Sequence, residues 1–245
     1  MNKTAIIIPS RLEAVRLPNK PLELINNKEM ILHVYEAAKK TNTGEVYVAT
    51  PDQKIIDLIK DAGGKAVLTS LDHQTGTDRV YEVFKNQLKS EPNVIVNLQG
   101  DMPNIDPKVI TNLISYMEEG KCDIGTLASS FSSDEEIADE NNVKVAVKEK
   151  LDNNQFGQAS DFFRTDVKKH KIFYHHVGIY AFTNKALVRY VSLKRSKLEL
   201  ERKLEQLRAL ENSMTIHVGY INSSPLSVDT KNDLIEVRKI METNE

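Results

Sequence analysis

An α/β protein with a mostly parallel central sheet and helices on both faces is what this sequence predicts. Three observations carry that prediction. Apolar runs alternate with amphipathic helical stretches through the first half of the chain. The connections between them are short. The runs themselves, such as Ala5-Ile6-Ile7-Ile8, have no polar partner face, as a strand buried on both sides requires.

Taken in order, Ala5 to Ile8 is the first strand. Met30, Ile31, Val34 and Ala38 then recur at helical spacing, with Lys39-Lys40 in the last turn, where the helix dipole favours cations. Glu45 to Thr50 reads as a second strand. Lys54 to Ala62 reads as a short helix stopped by Gly63-Gly64, and Ala66 to Thr69 as a third strand. Val80, Val83, Phe84 and Leu88 give the next helix its apolar side, with Thr75 or Thr77 as N-cap and Asp78 at its positive end. Asn93 to Leu98 is the strongest strand. Asp106-Pro107 opens a helix with a cap and a proline in its first turn.

The second half is less regular. Ile124 to Leu127 and Val143 to Val147 read as strands, the latter alternating as if one face were wet. Ser132 to Asn142 reads as an acidic loop with a short helical turn, and Leu151 to Lys171 as a polar stretch expected to be flexible around Arg164. Phe173 to Phe182 is an aromatic strand whose paired His175 and His176 point to opposite faces. Asn184 to Val191 reads as a helix. Glu199 to Asn212 reads as one long amphipathic helix burying Leu200, Leu204, Leu207 and Leu210, with Glu201, Arg202, Glu205 and Arg208 as surface partners. Met214 to Ile221 is a strand, and Thr230 with Asp233 fits a capping box opening the last helix.

Composition narrows the function classes. The chain has 245 residues, enough for one large domain over 1–245 or one domain with a sizeable insertion. A net charge of -2 argues against nucleic-acid binding, which needs a basic face. Apolar runs are too short to span a membrane, and the N-terminus lacks a signal-peptide core, so a cytoplasmic location is expected. A lone cysteine, Cys122, excludes an internal disulfide and reads as a small buried hydrophobe.

Three loops carry chemistry. The first follows the first strand and holds Arg11, Arg16 and Lys20 among Pro9, Pro18 and Pro21. Such a stiff, cationic loop suits a dense anion, although a solvated surface loop would read the same way. The second, Asp72-His73-Gln74-Thr75-Gly76-Thr77-Asp78-Arg79, lies after a strand, where open α/β sheets bind ligands. The third, Gln99-Gly100-Asp101-Met102-Pro103, puts a carboxylate at the tip of the strongest strand. That position suits a metal ligand or a simple turn. Asp229 is a further acid just before a helix that Thr230 already caps. Neither a Gly-x-Gly-x-x-Gly nor a Walker-type loop is present.

Together these stretches resemble the CMP-sugar-acid synthetase family over essentially the whole chain. The matches are Arg11-x5-Leu17-Pro18-x-Lys20-Pro21-Leu22, Asp72-His73-Gln74-x-Gly76-Thr77-Asp78-Arg79 and Gln99-Gly100-Asp101-x-Pro103, then His176-x-Gly178-Ile179-Tyr180, Leu204-Glu205-Gln206-Leu207-Arg208 and Val228-Asp229-Thr230. The resemblance implies a nucleotide-diphospho-sugar-transferase-like, Rossmann-like domain with a smaller β-rich dimerisation and sugar-binding subregion at about 125–215, working as a homodimer. It implies transfer of CMP from CTP to an acid sugar, first among them 3-deoxy-manno-octulosonate (Kdo), with release of diphosphate, for lipopolysaccharide synthesis. It makes Arg11, Arg16 and Lys20 triphosphate ligands, and sets Pro9, Ser10, Asp72, His73, Gln74, Thr75 and Gly76 around the nucleoside. Gln99, Arg164, His176, Tyr180, Glu205 and Gln206 would face the sugar. Asp101 and Asp229 would hold Mg²⁺, so Lys20, Arg16 and the two acids form the catalytic set.

Three departures stand out. Asn19 replaces a usual Gly, Met102 replaces a frequent acid, and a Trp-containing segment after Arg164 is missing. Another acid sugar (8-amino-Kdo or a sialic-type acid) therefore remains open, as does a non-catalytic nucleotide-binding relative. Retention of Asp101, Asp229, Lys20 and both arginines favours the enzyme.

Overall fold

The computed structural model describes residues 4–13, 16–88, 92–153 and 155–243. Along the chain run β1 (Thr4–Pro9), β2 (Leu24–Ile25), β3 (Lys28–Glu29), α1 (Met30–Lys40), β4 (Gly44–Thr50), α2 (Gln53–Asp61), β5 (Ala66–Leu68), α3 (Gly76–Gln87), β6 (Val94–Asn97) and α4 (Pro107–Glu118). There follow β7 (Ile124–Ser129), α5 (Asp134–Ala138), β8 (Lys144–Val147), β9 (Phe156–Phe163), β10 (Phe173–Thr183), α6 (Asn184–Ser192), α7 (Lys197–Arg202), α8 (Gln206–Glu211), β11 (Ile216–Tyr220) and α9 (Lys231–Glu242). These group into two compact units, Met1–Thr111 with Pro225–Glu245, and Asn112–Ser224.

In the first unit the strands lie in the order β5-β4-β1-β6, and every pairing is parallel. Ile6, Ile7 and Ile8 are wholly buried, which explains a run with no polar face. Helix α1 buries Met30, Ile31, Val34 and Ala38 and carries Lys39 and Lys40 in its last turn. Helix α2 buries Ile55, Ile56 and Ile59. Strands β2 and β3 form a small hairpin around Asn26 and Asn27, both with positive φ, the conformation that tight hairpin turns need. A separate core cluster joins Leu17, Ile25, Met30, Val228, Leu234 and Val237. It packs the cationic loop, the hairpin and α9 onto one another.

The second unit is built differently. Its strands run β10-β7-β11-β9-β8, and β8 returns to pair with the start of β10. Only β7–β11 is parallel; the β10–β7, β10–β8, β11–β9 and β8–β9 pairings are antiparallel. The expectation of a mostly parallel sheet therefore fails here, and the architecture is mixed. Two of those antiparallel pairings come from β9, a strand where a flexible polar stretch was expected. Phe156–Phe163 lacks the regular alternation of a strand, with Phe156, Ala159, Phe162 and Phe163 as its apolar residues, but β8 and β11 satisfy its backbone from both sides. Strand β8 has no wet face either: all four residues are buried, because Lys144 Nζ donates to the Asp139 and Arg164 carbonyls at 2.7 and 2.9 Å.

The helix expected over Glu199 to Asn212 is two helices. Lys203 takes a left-handed conformation (φ 55°) and breaks it between α7 and α8. Leu204 and Leu207 are buried as expected, but Leu200 is exposed and Arg208 is buried against expectation, together with Glu199. Cys122 is buried, and burial pushes its thiol up to about 12. No helix among the described residues is long and apolar enough to cross a membrane.

Candidate active site

The cationic loop is shaped by Asn19. It adopts φ 57° and ψ 21°, a left-handed conformation that Asn tolerates better than most residues. Its N–H donates to the Leu12 carbonyl at 3.1 Å, and its own carbonyl accepts from Leu22 N at 2.8 Å. The chain reverses there and opens a single 3-10 turn over Lys20–Leu22. Lys20 Nζ then donates to Asp101 Oδ2 at 2.9 Å and Asp229 Oδ1 at 3.1 Å. Arg16 Nη2 donates to the other oxygen of Asp229 at 2.9 Å.

The two acids, distant in sequence, are held together by backbone. Val228 N donates to the Asp101 carbonyl at 2.9 Å, and Leu226 N to Asn104 Oδ1 at 2.9 Å. Asp233 accepts from Asp229 N and Thr230 N while Thr230 caps α9, so Asp229 is free of capping duty, as its position suggested. Leu17 and Val228, immediate neighbours of Arg16 and Asp229, share one core cluster. Gly100, just before Asp101, packs closely on α1 and β1: a Cβ there would stand 3.1 Å from Ile31 Cδ1 and 3.4 Å from the Pro9 carbonyl. Burial works against the Lys20 charge, but Asp101 and then Asp229 outweigh it and hold the ammonium above its ordinary range. Two carboxylates thus converge on one point cation. Met102, at the position of the family's acid, is buried.

The other residues of the first two loops divide by task. Leu12 N donates to Asp52 Oδ2 at 2.8 Å, which ties down the loop bearing the exposed Arg11. Ser10 N donates to the Ala49 carbonyl, while its buried hydroxyl has no hydrogen-bond partner. Such an orphan needs an explanation, and a bound ligand supplies one. A Cβ on Gly76 would lie 3.5 Å from Pro9 Cγ and 4.0 Å from Gln99 Nε2, so Pro9, Gly76 and Gln99 are neighbours. Thr75 is buried and caps α3 through Asp78 N. His73 bonds Glu82, which also accepts from Ser70 N. Asp72 and Gln74 are exposed. Arg79, whose presence the loop pattern left unexplained, is buried and donates to Thr69 Oγ1 and the Ser70 carbonyl, anchoring the loop from below.

The other candidates belong to the second unit. A register shift in β10 between Val177 and Tyr180 bulges the strand. Across it the His176 and Tyr180 ring centroids lie 5.5 Å apart. His176 Nε2 lies 2.9 Å from Thr126 Oγ1, and the ring meets the Phe162 ring edge-on at 5.1 Å. Burial, reinforced by His175, pushes His176 down to about 3, so its ring is neutral at physiological pH. Burial, with Glu205 adding to it, raises the Tyr180 phenol well above its usual range and keeps it a donor. Arg164 Nη1 donates to the Glu140 and Asn141 carbonyls at 2.9 and 2.8 Å.

Glu205 and Gln206 sit at the corner between α7 and α8. Beneath it Arg208 donates to Glu199 through Nε at 2.9 Å and Nη2 at 2.6 Å, and lies 4.6 Å over the Tyr190 ring. Tyr190 in turn donates to the Glu205 carbonyl at 3.0 Å. Thr126, Glu82 and Glu199 support the candidate residues but were not singled out in the sequence, whereas Arg208 was quoted there and read as a surface partner. An isolated Glu or Thr at helical or strand spacing carries no sign of what it will face.

Residues 5–216 match a family model described as cytidylyltransferase. The chain belongs to the cytidylyltransferase family. It is accordingly a nucleotidyltransferase, and curated relatives agree across nearly the full length. The 3-deoxy-manno-octulosonate cytidylyltransferase of Bartonella henselae is 42% identical over 238 residues, covering 96% of this chain and 97% of the relative. That of Paramagnetospirillum magneticum is 39% identical over 238 residues, covering 96% of each. A solved structure of CMP:2-keto-3-deoxy-manno-octonic acid synthetase complexed with CTP is similar at a TM-score of 0.88 and 36% identity, covering 99% of this cytidylyltransferase and 100% of that chain.

Proposed function

We propose that this cytidylyltransferase transfers CMP from CTP to the anomeric hydroxyl of Kdo, giving CMP-Kdo and diphosphate. The observation that carries the reading is the bridge from Lys20 Nζ to Asp101 and Asp229. A cation that joins two acids supports the reading, because triphosphate and metal charges would meet there during the reaction.

In-line attack of the sugar hydroxyl on the α-phosphorus asks for positioning and charge neutralisation more than for a protein nucleophile. Arg11, Arg16 and Lys20 would neutralise the triphosphate, and Lys20 would stabilise the charge that grows as diphosphate leaves. Ser10, Pro9 and the Asp72–Gly76 loop would hold the nucleoside, the Ser10 hydroxyl finding its missing partner there. Gln99, His176, Tyr180, Glu205 and Gln206 would line the acid sugar. Arg164, steadied by its two carbonyl bonds, would supply the cation for the sugar's carboxylate.

The donor set also fits Mg²⁺: two carboxylates converge on one cation, and among the described residues no third His, Cys or acid joins them, as suits an ion that keeps waters and phosphate oxygens. Held by Asp101 and Asp229, Mg²⁺ would supply charge neutralisation at the α-phosphate and lower the pKa of the attacking hydroxyl. A homodimer, a cytoplasmic location and a role in lipopolysaccharide synthesis complete the proposal.

The test is diphosphate release from CTP with Kdo, 8-amino-Kdo and sialic-type acids, with and without Mg²⁺. Release with Kdo in the presence of Mg²⁺ is the expected outcome. Release with another acid only would move the substrate, and no release with any sugar would overturn the proposal.

A further inference from the structure

The β10 bulge has a single side chain at its centre. Thr126, on β7, is wholly buried, and its Oγ1 lies 2.7 Å from the Ile179 carbonyl, 3.2 Å from the Val177 carbonyl and 2.9 Å from His176 Nε2. Carbonyl oxygens only accept, and a threonine hydroxyl has one proton. If that proton went to His176, the hydroxyl oxygen would face two carbonyl oxygens lone pair to lone pair. The proton therefore goes to a carbonyl, Ile179 being the nearer, and the hydroxyl oxygen accepts from His176. The neutral ring is then protonated at Nε2, which leaves Nδ1 with a lone pair and no proton. No described hydrogen bond uses Nδ1.

We infer that Thr126 is a positioning residue that fixes His176 as the Nε2–H tautomer, so that His176 meets the sugar as an acceptor from a hydroxyl or amino group and never as a donor to the carboxylate. The inference rests on the proposed acid-sugar reading of His176 and deepens it. It splits the sugar-facing residues into two kinds. A neutral Nδ1 lone pair repels a carboxylate, so His176 selects the polyol part of the substrate and the carboxylate must find its donors elsewhere.

The experiment has two arms on the full chain. In the first, ¹⁵N-histidine NMR at neutral pH should show a pyrrole-type Nε2 and a pyridine-type Nδ1 for His176, identified by its loss in His176→Asn. A pyrrole-type Nδ1 would overturn the inference without reference to any sugar. In the second, Thr126→Val should raise KM for the acid sugar about tenfold, the worth of one hydrogen bond, while kcat at saturating sugar and KM for CTP stay within about twofold. Thr126→Ser, which keeps the hydroxyl, should restore the sugar KM and the wild-type nitrogen signals. A reactive sugar whose KM ignores Thr126→Val would overturn this inference alone. Failure of every sugar to react would overturn the functional proposal and the inference with it. A Thr126→Val chain that does not fold leaves the first arm and the serine variant to decide.

Discussion

Replacing Glu199 by Gln should lower stability by about 3–5 kcal/mol, the range for breaking a buried ion pair from one side. The geometry places it in that range. The Glu199 side chain is fully buried and that of its partner Arg208 is 4% exposed. Glu199 accepts from Arg208 Nε and Nη2, from Arg195 Nε and from the Ser196 backbone. Gln keeps the volume but loses the charge, leaves one acceptor oxygen in place of two, and strands the Arg208 guanidinium in the interior. At roughly 2–4 °C per kcal/mol for a chain of this size, the melting temperature should fall by about 6–20 °C. Urea and thermal unfolding at pH 7 measure it.

A second arm replaces both partners. Glu199→Gln with Arg208→Met should recover most of the loss, because no buried charge is then left unpaired and Arg195, which also loses Glu199, is exposed enough to be solvated. The pH dependence has a definite sign. Burial opposes the Glu199 charge, yet the bonds from Arg208, Ser196 and Arg195 outweigh it and pull the carboxyl below its ordinary 4.5. The stabilisation is therefore complete above the unfolded carboxyl's pKa and is lost as pH falls through the lower folded value. The gap between wild type and Glu199→Gln should be full at pH 7 and close in acid. A Glu199→Gln chain within 1 kcal/mol of wild type at pH 7 would refute the reasoning, and so would a double variant no more stable than the single one.

Asp101→Asn and Asp229→Asn should each cut turnover by at least about a thousandfold, the scale of several kcal/mol of lost charge stabilisation, while circular dichroism shows the fold intact. Near-normal activity in either would show that its carboxylate is not needed for catalysis. At Asn19, Ala should cost about 1 kcal/mol for a left-handed non-glycine residue, and Gly should stay close to wild type. KM for CTP should follow the same order, because the Asn19 turn aims Lys20; equal stability and equal KM in both variants would separate the turn from the site.

Much of the first unit was legible because its strands announce themselves. Ile6 to Ile8 and Val94 to Asn97 are buried on both faces, and the Thr75 cap and the Thr230–Asp233 capping box formed as their spacing indicates. The approach of Asp101 to Asp229 was indicated by the family resemblance: Asp229 had no capping duty, but Asp101 alone could have been a turn residue and Lys20 part of a solvated surface loop. The second unit was harder to read. Phe156–Phe163 is a strand because its neighbours pair with it, and nothing in its own pattern says so. At the α7–α8 corner the leucine spacing of a continuous helix was genuine, but Lys203 turned left-handed and exchanged Leu200 for Glu199 in the interior. A buried carboxylate is recognisable only from the arginine that meets it, and that pairing is tertiary. The same holds for Thr126, one of many strand threonines until the bulge closes around it.

The Lys20–Asp229 bond spans 209 positions of sequence. During synthesis the cationic loop is made early and must wait for nearly everything else, since neither Asp229 nor its neighbour Val228 exists until the segment after the second unit has been translated. A nascent chain that has already built its first parallel strands still lacks half of the acid pair and part of the cluster that seats Leu17. A product stalled before residue 228 would keep Arg11, Arg16 and Lys20 but lack Asp229, the acid that both Arg16 and Lys20 bond.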